Sequence, residues 1–134
     1  MSLNVTELYG VTPEIASALK SAGLTDFDKL LAAVAQPKDR TELAKKLDID
    51  ARALLELGNR ADLARIKGIG RVYSDLLEFA GVDTVAEMAT RNPDNLLAKI
   101  NEVAAEHSVQ RTPTATEIAD WVTQAKGLGR GIFY

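Results

Sequence analysis

The chain repeats itself, so whatever unit its first half builds its second half must build again. Shifted by 58 residues, LYGVTPEIASALKSAGLTDFDKL (8–30) lies over IKGIGRVYSDLLEFAGVDTVAEM (66–88). Gly10 meets Gly68, Val11 meets Ile69, Leu19 meets Leu77, Ala22-Gly23 meets Ala80-Gly81, and Leu24 meets Val82. Identity is low, but the matches fall on turn glycines and on core positions, where backbone geometry and burial leave least freedom. Residues 56–63 resemble 120–128 at the larger offset of 64, which implies an insertion of about six residues near AEHSVQRTP (105–113), a stretch of loop composition. No Gly/Ser linker separates the copies. The division read from this is 1–3 as an expression leader, 4–63 as the first unit, 64–128 as the second and 129–134 as a tail.

The apolar spacing is helical nearly throughout. Ile69, Tyr73, Leu76, Leu77 and Ala80 form one helical stripe, and Ile118, Trp121, Val122 and Ala125 form another. Strand-like alternation is scarce, so the fold class is all-α. Thr12-Pro13-Glu14 and Asn92-Pro93-Asp94 each offer a cap, a proline at the first helical position and an acid in the first turn. Thr114…Glu117 has capping-box spacing, and Asp39…Glu42 has it by analogy. Gly23 and Gly81 stand where a left-handed residue would end a helix. The expectation is two tandem five-helix units, packed about a pseudo-twofold axis.

Charge and composition narrow the function. The net charge is −3, and the two halves carry 8 basic against 10 acidic and 8 against 9 side chains. Neither half is a basic domain, so any hold on nucleic acid must come from a local patch and be weak and salt-sensitive. The chain has no cysteine and one histidine, His107, which excludes thiolate chemistry and multi-histidine metal centres. No apolar run approaches a membrane span, and no signal-like leader is present, so a soluble cytoplasmic protein without a membrane partner is expected. No nucleophile–base constellation is recognisable, and no catalytic residue, metal or cofactor is expected.

RIKGIGR (65–71) is the patch that stands out, with three cations around a Gly-Ile-Gly turn in an acidic chain. Glycines let a backbone approach a ligand closely, and the helix that follows points its N-terminal N–H groups at the turn. The candidate phosphate-binding residues are Arg65, Lys67, Gly68, Ile69, Gly70 and Arg71. The alternative is a tight interhelical turn with solvated cations. A dinucleotide loop is excluded: the third glycine is missing and the preceding segment reads as helix. The first copy keeps Gly10 but has Thr12 and Pro13 in place of the second glycine and the following arginine, with acids at Glu7 and Glu14, and reads as structural.

LARIKGIGRVYSDLLEFAGV (63–82) resembles a helix-hairpin-helix motif, with Leu63 and Ile66 on the first helix, Gly68, Ile69 and Gly70 in the hairpin, and Leu76 and Leu77 on the second helix. From about residue 4 to 128 the chain is similar to a bacterial domain-of-unknown-function family of tandem helix-hairpin-helix units, with helical packing like that of SAM domains. Its hairpin also resembles those of DNA repair proteins and of the RNA polymerase alpha C-terminal domain. The resemblance implies backbone N–H groups that bind a nucleic-acid phosphate without reading sequence. The expected function is therefore a non-catalytic nucleic-acid binding module; the alternative is a protein–protein adaptor whose hairpins only pack helices.

Two further features carry bland readings. RTELAKKLDIDARALLELGNRA (40–61) resembles a helix-turn-helix, but its would-be reading helix carries Asp50 and Glu56, which phosphates would repel, and helix packing explains the spacing. GLGRGIFY (127–134), with three glycines, reads as a helix stop and a mobile end whose Ile132, Phe133 and Tyr134 could dock on a partner.

Overall fold

The computed structural model describes residues 11–109 and 111–133, and for Arg71 the backbone alone. Among the described residues there are eight helices and no strand: α1 (Pro13–Ser21), α2 (Phe27–Val34), α3 (Pro37–Leu47), α4 (Ala51–Leu63), α5 (Arg71–Phe79), α6 (Val85–Met88), α7 (Pro93–Glu106) and α8 (Ala115–Leu128). Four precede the Gly-Ile-Gly turn and four follow it, where five in each half were expected. The first hairpin's Glu7 and Gly10 lie outside the described residues.

The helix starts are set by local chemistry. Thr12 Oγ1 accepts the Ile15 N–H at 3.2 Å, and Pro13 follows at the first position. Asn92 Oδ1 accepts the N–H groups of Asp94 and Asn95 at 3.0 and 3.1 Å. Thr114 and Glu117 close a reciprocal capping box, each side chain accepting the other's backbone N–H at 3.1 Å. The cap expected at Asp39 is not made. Pro37, with φ preset for a helix, starts α3 two residues earlier behind Gln36, and Asp39 becomes an acid in the first turn.

The helix ends match in the two halves. After α1, the Leu24 N–H returns to the Leu19 carbonyl at 2.9 Å across Gly23, whose φ is 78°. After α5, the Val82 N–H returns to the Leu77 carbonyl at 2.8 Å across Gly81, whose φ is 90°. Both are Schellman closures, which need a left-handed residue and therefore favour glycine. Asp48 takes the left-handed role after α3, with φ of 54°.

Two hydrophobic clusters fill the interior. One gathers Leu19, Phe27, Leu30, Val34, Leu54 and Leu57 from α1, α2 and α4. The other gathers apolar residues from Leu63 through Ala125, with Leu76, Leu77, Met88, Ile100, Ile118 and Trp121 nearly solvent-free. Trp121 is a core residue, as its stripe implied, and its ring lies 5.2 Å from that of Tyr73. In the helix-turn-helix candidate, α4 is buried from Leu57 to Leu63, and the residues exposed at its start are Ala51, Arg52 and Glu56.

The tail is not a free end. Ile132 is fully buried in the first cluster, against Gly58 of α4. The Phe133 N–H donates to the Ala35 carbonyl at 2.8 Å, and Arg40 Nη1 donates to the Phe133 carbonyl at 2.7 Å and the Val34 carbonyl at 2.9 Å. Residues 129–133 thus run from the end of α8 back onto α2, α3 and α4, and the expected mobile tail is a strap that ties the second half to the first.

Candidate functional site

The 65–71 turn is built from a chain of short backbone bonds. Ala64, Arg65 and Ile66 each donate at 3.1 Å to Arg60, Asp62 and Leu63, and Ile69 donates to Ile66 at 3.2 Å. Ile66 and Ile69 are buried and anchor the turn in the second cluster. Gly68 has φ of 101°, and a Cβ there would sit 3.0 Å from Trp121 Nε1. That position requires glycine twice over, for the dihedral and for the room. Gly70 has an extended backbone and open space where a Cβ would stand. It is the N-cap residue of α5 and supplies no capping side chain. Among the described residues, no acceptor takes the Gly68 or Gly70 N–H.

The cations of the turn have different surroundings. Arg65 is engaged: its Nη1 lies 2.7 Å from Asp62 Oδ1 and 3.1 Å from the Gly129 carbonyl, and its Nη2 donates to the Leu128 carbonyl at 3.0 Å. It neutralises a fully buried carboxylate and holds the last carbonyls of α8, where a cation also suits the helix dipole. Asp62 Oδ2 in turn accepts the Val85 N–H at 2.8 Å, at the start of α6. Lys67 is exposed and makes no ion pair among the described residues, but its backbone is clamped. Gln124 Oε1 accepts its N–H at 2.9 Å, and Gln124 Nε2 donates to its carbonyl at 3.1 Å. The Arg71 backbone opens α5; its side chain lies outside the described residues.

In front of the turn is a groove of about 470 Å³, lined by Phe27, Asp28, Arg65, Lys67, Gly68 and Gly70 among others. Asp28, in the first turn of α2, brings a carboxylate to the same groove. The structure therefore gathers Arg65, Lys67, Gly68, Ile69 and Gly70 at one groove, with one of the two described cations spent on Asp62.

A family model for a domain of unknown function, DUF4332, matches residues 9–128. The chain belongs to that family. No curated protein matches the chain, and no solved structure does. The match runs through both helical halves of this DUF4332 domain and stops at the last residue of α8, before the strap.

A second set of polar residues escaped the sequence reading. Arg60 of α4, its side chain only 6% exposed, is ion-paired with both Asp75 and Glu78 of α5. Burial pushes the Glu78 carboxyl above its ordinary range; Arg60 pulls it back, and the neighbouring Glu56, Asp75 and Asp83 push it further up. Asp83 is also raised, first by burial, then by Glu87 and Asp62, against the opposing effects of its own backbone hydrogen bond and Arg91. The available signal was the spacing of Asp75 and Glu78 on one face of a helix, but their partner comes from another helix. Among the described residues, no three acidic or histidine side chains converge as a metal site, and no helix is long and apolar enough to cross a membrane.

Proposed function

We propose that this chain is a non-catalytic helix-hairpin-helix module that holds a nucleic-acid backbone, without reading sequence, at the 65–71 turn. On this reading residues 4–63 and 64–128 are two copies of one unit, which the matched Schellman closures at Gly23 and Gly81 support. The observation that carries the proposal is the open start of α5. Gly70 leaves it without a capping side chain, the N–H groups of Gly68 and Gly70 have no described acceptor, and the Lys67 ammonium is exposed beside them. Unpartnered N–H groups at the positive end of a helix dipole form a ready anion site. Lys67, Gly68, Gly70 and Arg71 would make the contact, while Ile69, buried and with its N–H given to Ile66, and Arg65, paired with Asp62, would hold the turn in shape. The net charge of −3 limits the pull on an anion, consistent with the weak, salt-sensitive binding expected of an acidic chain.

Titration with duplex DNA tests this. Binding is expected at low salt and should fall steeply as salt rises. Lys67→Glu should abolish it, and Gly70→Ala should weaken it, since a methyl group there enters space that a phosphate would use. A second reading, a protein–protein adaptor with purely architectural hairpins, is favoured by the Gln124 clamp and the Arg65 strut, which build the turn into the packing. Absence of DNA binding at low salt, or binding indifferent to Lys67→Glu, would sink the first reading in favour of the second.

A further inference from the structure

We infer that the groove between the start of α1 and the α3–α4 turn receives a short peptide segment of a partner protein, its apolar side chains on the floor and its lysine or arginine side chains on the rim. The groove has a volume of about 410 Å³. Its floor is Ile15, Leu47 and Ile49, half-buried residues that pack on the first cluster and keep one side open to water. Ala18, also in the lining, is small and adds depth. Its rim is Glu14, Asp48 and Asp50.

The turn that presents the acids is fixed. Asp48 takes the left-handed position, with φ of 54°, and the Ile49 N–H returns to the Ala44 carbonyl at 3.0 Å. Asp50 Oδ1 caps α4 by accepting the Arg52 N–H at 3.1 Å. Three carboxylates and no cation line the groove, and none of the three is in an ion pair among the described residues. Lys45 and Lys46 end α3 without lining it, and Arg52 is turned to Glu56 at 3.5 Å. That charge selects the partner. A nucleic-acid backbone would be repelled, and an apolar segment without cations would shield three carboxylates from water and leave them unpaired. A peptide with apolar side chains between cations meets both the floor and the rim. Residues 1–10 have Glu7 as their only charged side chain and lack the cations that the rim calls for.

The α7–α8 connection carries a cover of this kind in its own chain. Residues 107–114 are a longer link than the α3–α4 turn, 48–50, and they put Val109 on the second cluster and bury Pro113. Arg111 lies between those two and is exposed. On the reading of residues 4–63 and 64–128 as two copies, the two connections correspond, and Ala18 stands where Leu76 is buried. The first half then has neither the covering run nor the filling side chain.

The groove shares no lining residue with the groove at the 65–71 turn, so this inference and the nucleic-acid reading fail independently. The test is a methyl NMR titration of the whole chain with three blocked peptides. They are acetyl-KVRPVK-amide, its charge-reversed form acetyl-EVEPVE-amide, and acetyl-KSRGSK-amide, which keeps the cations and drops the apolar side chains. The first is expected to give saturable shifts at the Ile15 and Ile49 methyls, and the other two none. Asp48→Asn combined with Asp50→Asn keeps the left-handed turn and the helix cap, since asparagine serves both. It should weaken the first peptide about fivefold, as the loss of two exposed charge pairs would. Ala18→Leu should fill the floor and abolish the shifts, and Lys67→Glu should leave them unchanged. Absence of saturable shifts, equal binding of either control peptide, unchanged binding in the double variant, or the same shifts with duplex DNA overturns the inference. So do nuclear Overhauser contacts from residues 1–10 to the Ile15 or Ile49 methyls in the peptide-free protein, which would make the chain's own N-terminal segment the occupant.

Discussion

Replacing Arg65 with methionine separates a strut from a ligand-binding cation. The guanidinium lies 2.7 Å from the carboxylate of Asp62, whose side chain is fully buried, and holds the carbonyls of Leu128 and Gly129 at 3.0 and 3.1 Å. Without it, Asp62 keeps the Val85 N–H as its remaining described donor. Removing one partner of a buried ion pair costs about 3–5 kcal/mol, because a charge is stranded in the interior. The Arg65 side chain is 22% exposed, so water already reaches part of the pair and the lower end applies, about 3 kcal/mol. The α8 carbonyls are near solvent and add little. In a domain of this size that loss should lower the melting temperature by roughly 10 °C. Lys67→Met removes a solvated ammonium and should change stability by less than about 0.5 kcal/mol.

Trp121 reports both changes, because it is the only tryptophan, is buried, and packs against Gly68 of the turn. Urea unfolding followed by its fluorescence gives each free energy. The double variant with Asp62→Asn should be less destabilised than the two single changes combined, by about 1–3 kcal/mol, as expected for residues in direct contact. If Arg65→Met unfolds within about 0.5 kcal/mol of the parent, the strut is absent and Arg65 is free to meet a ligand. A loss of DNA binding in Arg65→Met would then count as a site effect; accompanied by the expected destabilisation, it would not.

The two turn glycines should behave oppositely. Gly68→Ala places a methyl 3.0 Å from the indole nitrogen at φ of 101° and should cost about 1–3 kcal/mol, whereas Gly70→Ala enters open space and should leave the urea midpoint nearly unchanged. Ile132→Ala, in the strap, should cost about 2–5 kcal/mol, and a melt that does not shift would mean the strap is not docked. In Gly58→Ala the new methyl meets Val34 Cγ2 at 2.7 Å and Ile132 Cδ1 at 2.8 Å, an overpacking cost of about 1–3 kcal/mol that Ile132→Val, by removing Cδ1, should partly relieve. Glu78 should titrate above its ordinary 4.5 by carboxyl NMR, and Arg60→Met should raise it further, since Arg60 opposes the effect of burial. A raised pKa in the fold means that folded Glu78 holds its proton more tightly than unfolded Glu78. Its contribution is therefore present below the unfolded pKa and lost as pH rises through the folded one. A midpoint at or below 4.5 would contradict the burial of this carboxyl.

What could be read before the structure was whatever depends on neighbours in sequence. Thr12, Asn92 and Thr114 cap because the groups they satisfy lie two or three residues away, and Gly23 and Gly81 close helices for the same reason. The Asp39 cap failed within that local logic, because Pro37 is the stronger start signal and lies two residues upstream. The site depends on longer links. Arg65 had its acid three residues back, at the spacing that pairs side chains on a helix, but the carbonyls that complete its role come 63 and 64 residues later. The strap had a signal that composition concealed. Three glycines suggested a free end, yet the informative glycine is Gly58, in the interior of α4. An interior helix glycine costs about 1 kcal/mol against alanine, so it implies that something must approach the backbone there. What approaches is Ile132, and that contact ties the end of the second half into the core of the first.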